Sequence, residues 1–449
     1  MTSRTNVRFV ALTAAGVLLL SACGGGSKKS SSSSGSSSTT GPTPAAGGGT
    51  VSNDYALQYT GGTAGAADDT KTPITIGFVS EEGGVPSFPE ATQGAQAAVD
   101  YVNKELGGVQ GHKVILQKCF VQTEEDGQKC GTQMANDPKV QVVLTGALVL
   151  GNQSLYSVLA GKKPVIIGNP VTAPDFTVKD ATAFTPGSPG VIQGLAVFLA
   201  KNLQNIHKVA AIYSNNPAGT IAFTALFKPV LARFGITDVT GVPVSDTATA
   251  TDYQQALQSS GATKADVVVP LVIVQGCIAA YDAFQALGIK PTVVTAGICY
   301  GTPMTQHLQK DLGLKDQVPD GWYFGGYGYS YFIQDAASGT TTYLAKVKQY
   351  GPANVEYTGF AGPDFANLLT IVKFMNAVGA DKLSSDAIKA QIAAFHGPMM
   401  LVAGPMNCGA NPVFPSLCGT QMGVEQYKGR KWIPVADALN NAAIDPTKA

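Results

Sequence analysis

From Ile74 onward, short runs of consecutive apolar residues alternate with longer stretches in which apolar positions return every three or four residues. "ITIGFVS" (74–80) is such a run, followed closely by Gly and Pro, and reads as a strand. In "EATQGAQAAVDYVNKEL" (90–106), Ala91, Ala95, Ala98, Val99 and Val102 share one helical face. The same pattern predicts further strands at 112–120, 140–146, 163–169, 208–214, 265–273 and 291–297. It predicts helices at 127–137, 154–161, 190–203, 220–235, 253–261 and 277–288. Apolar strands alternating with helices imply parallel sheets covered on both faces. The fold class is therefore α/β, and two such sheets in series fit the length. The last third departs from the rhythm. It holds an aromatic cluster, "GWYFGGYGYSYF" (321–332), and helices near 338–350 and 360–378. A Gly/Pro/Cys-rich stretch (397–422) and a hairpin at 423–435, turning at Lys428-Gly429, complete it.

The chain before Ile74 reads differently. Arg4 and Arg8 introduce an apolar run at 9–20, too short to span a bilayer and suited to the core of a signal peptide over 1–22. Leu20-Ser21-Ala22-Cys23 resembles the bacterial lipobox, which implies acylation of Cys23. Residues 24–50 are nearly all Gly, Ser, Thr, Pro and Ala, and the polar, Gly-rich character continues to Lys71. Residues 23–71 are thus expected to form a lipid anchor and a flexible tether, which puts the folded part outside the cytoplasm at the membrane surface. Residues 438–449 are expected to be a short tail.

Composition narrows the partners. The chain has 30 basic and 30 acidic residues and no basic stripe, which argues against nucleic acid. Apart from Cys23, six cysteines remain among the seven: Cys119, Cys130, Cys277, Cys299, Cys408 and Cys418. They allow fifteen connectivities. An oxidising compartment favours disulfides, and the simplest set pairs neighbours: 119 with 130, 277 with 299, 408 with 418. None of these spacings is a CxxC, so a structural zinc site is not expected.

In open α/β sheets, ligands bind beyond the carboxyl ends of strands. That rule selects 80–84, 145–154, 169–172, 214–216, 275–277 and 297–300. The candidates are Ser80, Glu81, Glu82, Ala147, Leu150, Gly151, Asn152, Val171, Thr172, Asn215, Gln275 and Tyr300, with Tyr327 added from the aromatic cluster. Catalytic signatures fail. "GALVLGNQ" (146–153) has P-loop glycine spacing, but Asn152 and Gln153 stand where Lys and Ser/Thr are required. There is no G-x-S-x-G, and His112, His207, His307 and His396 are scattered. No enzyme, metal or cofactor is expected.

The region from 73 to 437 resembles type I periplasmic substrate-binding proteins of ABC transporters, in the leucine/isoleucine/valine-binding branch. The carriers, in order, are "ITIGFVSEEGG", "EATQGAQAAVDYVNKELGGVQGHKVIL", "VVLTGALVLGNQS", "KPVIIGNPVTAPDF", "TPGSPGVIQGLAVFLAKN" and "YQQALQSSGATKADVVVP". The resemblance implies two doubly wound parallel-sheet lobes joined by a three-strand hinge, with the ligand between them. Lobe one would hold 72–187 and 326–403, and lobe two 188–325 and 404–437. The Cys119/Cys130 pair is similar to the branch's first-lobe disulfide. The loop 147–151 matches the family's serine loop, with Leu150 near the usual hydroxyl. Val171-Thr172-Ala173 matches the stretch that holds an amino-acid head group. Two departures stand out. The lobe-two aromatic is replaced near Pro217-Ala218, and the carboxylate for the ligand ammonium has no match around Ile298-Cys299. Either Glu81 or Glu82 takes over, or the ligand is of another class. The expected polar contacts are Thr172 and the N–H groups near Gly151, with Tyr300 and the 327–331 tyrosines as walls. The implied role is hinge closure on a small, amino-acid-like molecule, delivered by a monomer to a permease and its ATPase. A ligand sensor of the same fold is the alternative, and a hydrolase the remoter one.

Overall fold

The computed structural model describes residues 52–435, apart from 85, 330, 334–336 and 403. The expected signal peptide, Cys23, residues 24–51 of the tether and the tail lie outside these residues.

Two sheets organise the chain. The first is built from β1 (Ile74–Glu81), β2 (Val114–Val121), β3 (Val140–Ala147), β4 (Val165–Asn169) and β5 (Ala181–Thr182), in the spatial order 2-1-3-4-5. All its neighbours are parallel. The second contains β6 (Lys208–Ser214), β7 (Asp238–Val244), β8 (Val267–Leu271), β9 (Thr292–Ala296) and β10 (Tyr323–Gly326), closed by β11 (Gly423–Lys428) and β12 (Lys431–Pro434). Its order is 12-11-10-9-8-6-7, so strands 7-6-8-9-10 repeat the winding of the first sheet. The expected terminal hairpin supplies this sheet's antiparallel edge, because β11 returns beside β10 and turns into β12. Gly429 and Arg430, both at positive φ, make that turn, one residue beyond the predicted pair.

The helices follow in chain order. Those of the first sheet are α1 (Asp54–Thr60), α2 (Pro89–Glu105), α3 (Glu124–Asn136), α4 (Asn152–Leu159) and α5 (Ala173–Thr177). α6 (Gly187–Asn202), α7 (Pro217–Ile221), α8 (Lys228–Arg233), α9 (Ala250–Ser259), α10 (Val274–Leu287) and α11 (Thr302–Gln306) belong to the second. α12 (Thr340–Tyr350), α13 (Ala361–Val378) and α14 (Ser385–Ala393) return to the first. The small residues that marked α2 matter for packing: a Cβ on Gly94 would sit 2.2 Å from the Ala361 carbonyl oxygen, so only glycine allows α2 to lie this close to α13.

Two boundaries differ from the sequence reading. The residues read as tether up to Lys71 are folded from α1 onward. Ala56, Tyr59 and Thr60 are buried, and the Tyr59 hydroxyl meets Thr370 Oγ1 of α13 at 2.7 Å. A short apolar face on an otherwise polar stretch is enough to dock this helix. The segment from 404 to Cys418, assigned to the second lobe, packs with the first. Met406 and Cys418 lie in its core, and the Cys418 N–H donates to the Ala183 carbonyl beside β5. Disulfides join Cys119–Cys130, Cys277–Cys299 and Cys408–Cys418, the nearest-neighbour set. The chain crosses between lobes three times: before α6, after β10 and before β11.

Candidate functional site

In each sheet the order reverses between two neighbouring strands, β1 and β3 in the first and β6 and β8 in the second. The loops after them are where a doubly wound sheet offers free backbone donors. In the first lobe these donors are already taken. Glu81, the last residue of β1 and 1 % exposed, accepts from the N–H of Val149 at 2.7 Å and of Leu150 at 3.3 Å. Glu124 Oε2 accepts from the Gly151 N–H at 2.7 Å. Burial pushes the Glu81 carboxyl above its usual range, against the pull of the two N–H bonds, and nearby Glu124 adds to the rise. Gly151 holds a left-handed conformation as the N-cap of α4 and lies so close to α3 that a Cβ on Gly127 would meet its carbonyl at 1.9 Å.

The loop after β4 is closed in the same way. Asp175 is buried and accepts from the N–H groups of Val171 at 2.9 Å and Thr172 at 2.8 Å. It also accepts from Asn152 Nδ2 at 3.0 Å and from the Tyr156 hydroxyl at 2.6 Å. Thr172 caps α5, and its hydroxyl takes a bond from Asn152. In this structure the protein's own carboxylates occupy the N–H groups of Gly151, Val171 and Thr172 that were expected to face a ligand's polar end. Ser80 and Ala147 are buried at the same strand ends, and Glu82 accepts from Thr92 Oγ1 at 2.7 Å. Behind them, Asn169 donates to fully buried Asp364 at 2.7 Å. Desolvation holds that carboxyl well above its usual range.

In the second lobe, Ser214 and Asn216 both donate to Asp246, at 2.5 and 3.0 Å. Asn215 and Gln275 are exposed, on different loops, and neither lines the recess described next. The Cys277–Cys299 bridge ties α10 to the turn that presents Tyr300.

The structure brings Tyr300 and Tyr327 together in a recess of about 360 Å³, including space open to solvent. Thr185 from the first crossing, Tyr327 and Tyr331 from the second, and Glu425 of β11, just past the third, all line it. Pro363, Leu401 and Val402 complete the first lobe's wall. The recess thus sits where the three crossings converge. Sequence reading missed Thr185, Asp175, Asp364 and Glu425. The first three were not at the strand ends considered, and Glu425 looked like one more polar residue of a terminal hairpin.

Residues 73–413 match the periplasmic binding protein family. The chain belongs to that family. Solved structures share its fold at low identity. A substrate-binding protein of an ABC transporter from Sphaerobacter thermophilus superposes with a TM-score of 0.64 and 14 % identity, covering 81 % of this chain and 96 % of the other. A solute-binding protein from Rhodopseudomonas palustris HaA2, in complex with p-hydroxybenzoic acid, gives 0.63 and 16 %, with coverage of 81 % and 95 %. One from Desulfitobacterium hafniense, in complex with Leu, gives 0.60 and 15 %, with coverage of 81 % and 100 %. No curated protein sequence matches. Among the described residues, no helix is long and apolar enough to cross a membrane, and no group of three His, Cys, Asp or Glu could hold a metal ion.

Proposed function

We propose that this protein captures a small organic solute between its lobes and presents it to the permease and ATPase of an ABC transporter. The supporting observation is the recess itself. In a chain of the periplasmic binding protein family, both lobes and all three crossings contribute to one tyrosine-rich recess. Such a recess closes when the lobes rotate together, and a ligand that touches both favours the closed form by its differential affinity. The relatives solved with leucine and with hydroxybenzoate set the size of solute to test first. In the same reading the chain acts as a monomer outside the cytoplasm, anchored through Cys23. Incorporation of labelled palmitate, lost in Cys23→Ser, would test the anchor.

The test of capture uses protein exposed to a cell extract, washed, and denatured for small-molecule mass spectrometry. One solute retained near one per chain, with a contraction in small-angle scattering when it is added back, is the expected result. An empty protein whose scattering profile never changes would rule the reading out.

A further inference from the structure

The recess combines three features that bear on the charge of its ligand. Among the described residues its lining includes Tyr300, Tyr327, Tyr329 and Tyr331 and the carboxylate of Glu425, but no lysine, arginine or histidine. Glu425 is 3 % exposed, on a strand paired on both sides, so its position is fixed by the sheet. A buried carboxylate among tyrosine faces is an environment that attracts cations and disfavours anions.

The second feature is the state of the first-lobe backbone. The N–H groups of Val149, Leu150, Gly151, Val171 and Thr172 point at Glu81, Glu124 and Asp175. A ligand carboxylate would have to displace an internal carboxylate to reach any of them. Glu356 acts in the same direction on Tyr300, adding to a phenol pKa already pushed up mainly by burial.

The third feature is an unmatched polar atom. Thr185 Oγ1, buried in the lining, has no hydrogen-bond partner. An unsatisfied buried hydroxyl in a recess calls for an occupant that bonds to it.

We propose that the recess takes an organic cation, an alkylammonium or quaternary ammonium group, held on the faces of Tyr300, Tyr327 and Tyr331 with Glu425 as its counter-charge. The inference rests on the capture reading above and adds the charge of the solute. A ligand with a second polar group can place it on Thr185, which discriminates among amines of similar size.

The test titrates the full chain by calorimetry with choline and n-butylammonium, and in parallel with leucine and 4-hydroxybenzoate. Choline or butylammonium should bind, and more weakly as salt rises. Glu425→Gln should weaken that binding at least tenfold, and Tyr327→Leu about tenfold, with the circular dichroism of both variants unchanged. Should either variant fail to fold, Thr185→Val and Tyr327→Phe are read instead. A phenylalanine face keeps most of the cation affinity, whereas a hydrogen-bonded anion would lose its phenol donor. Tight binding of 4-hydroxybenzoate that Tyr327→Leu abolishes, with no response to either cation, overturns the charge inference and leaves solute capture standing. A silent response to both cations, in a protein that retains an anionic solute from extract, overturns it equally. A protein that retains nothing fails the capture reading, and the cation inference falls with it.

Discussion

Asp175 should be the most costly single carboxylate to remove from the first lobe. Its two oxygens accept from Tyr156, Asn152, Val171 and Thr172, all within 3.0 Å. Asp175→Ala strands the hydroxyl of Tyr156, a residue only 3 % exposed, at about 1–3 kcal/mol. It also removes half of the capping box on α5, worth about 1 kcal/mol. The half-buried N–H groups of Val171 and Thr172 can reach water and add less. Working the other way, burial already holds the Asp175 carboxyl above its usual range, so deleting it relieves some desolvation. The balance is a loss of roughly 2–4 kcal/mol. In urea melts at pH 7, with a slope of about 3 kcal/mol/M, the midpoint should fall by about 1 M without a change in slope. Asp175→Asn should recover only part of this, because donors face both oxygens and the amide must turn its NH₂ toward one set. A midpoint shift below about 0.3 M for Asp175→Ala would refute the claim that this carboxylate organises the loop.

Three further outcomes are expected. A chain begun at residue 72, or Tyr59→Ala in the full chain, should lose about 3–5 kcal/mol in the same melts, because α1 is part of the core. Burial, reinforced by Glu356 and Glu82, raises Glu90 from 4.5 to about 7, so its contribution to stability is complete below about 4.5 and is lost as pH rises toward 7. Glu90→Gln should flatten the stability profile across that window by at most about 3 kcal/mol, and an unchanged profile would contradict the assignment. Gly94→Ala should cost more than about 2 kcal/mol or prevent folding, since its methyl would meet backbone rather than a yielding side chain; a melt like that of the parent protein would show that α2 and α13 have room to separate.

Much of the fold was legible because buried parallel strands such as β1 and β8 are apolar throughout and their helices keep one apolar face. The missed elements have physical reasons. β7 carries Gly241 and Pro243, which read as breakers, yet it is an edge strand, where a missing N–H does no harm. β10 hides in an aromatic cluster because Gly325 must be small to lie under Leu195 and Met422. At the site, strand-end logic named Tyr300, which lines the recess, but it could not reveal which carboxylates fill which N–H groups. Glu124 and Asp175 lie 27 residues or fewer along the chain from the donors they occupy, on helices whose packing angles no periodicity encodes. Glu425 reaches the recess only through the register of β11 on β10.

The docking of α2 on α13, and of α1 beside it, also sets an order of assembly. The Tyr59–Thr370 contact joins residues 311 positions apart, and the strip at Cys418 joins β5 later still. The second lobe's five parallel strands, by contrast, lie in one uninterrupted stretch from β6 to β10. A chain that emerges N-terminus first therefore has the second lobe's parallel strands complete while the first lobe still lacks the helix that covers α2. Closing so long a loop is slow, and the bare face of α2 waits meanwhile as a surface for wrong partners. A frameshift or stop codon after Gly326 would consequently harm the earlier half of the chain more than the later one.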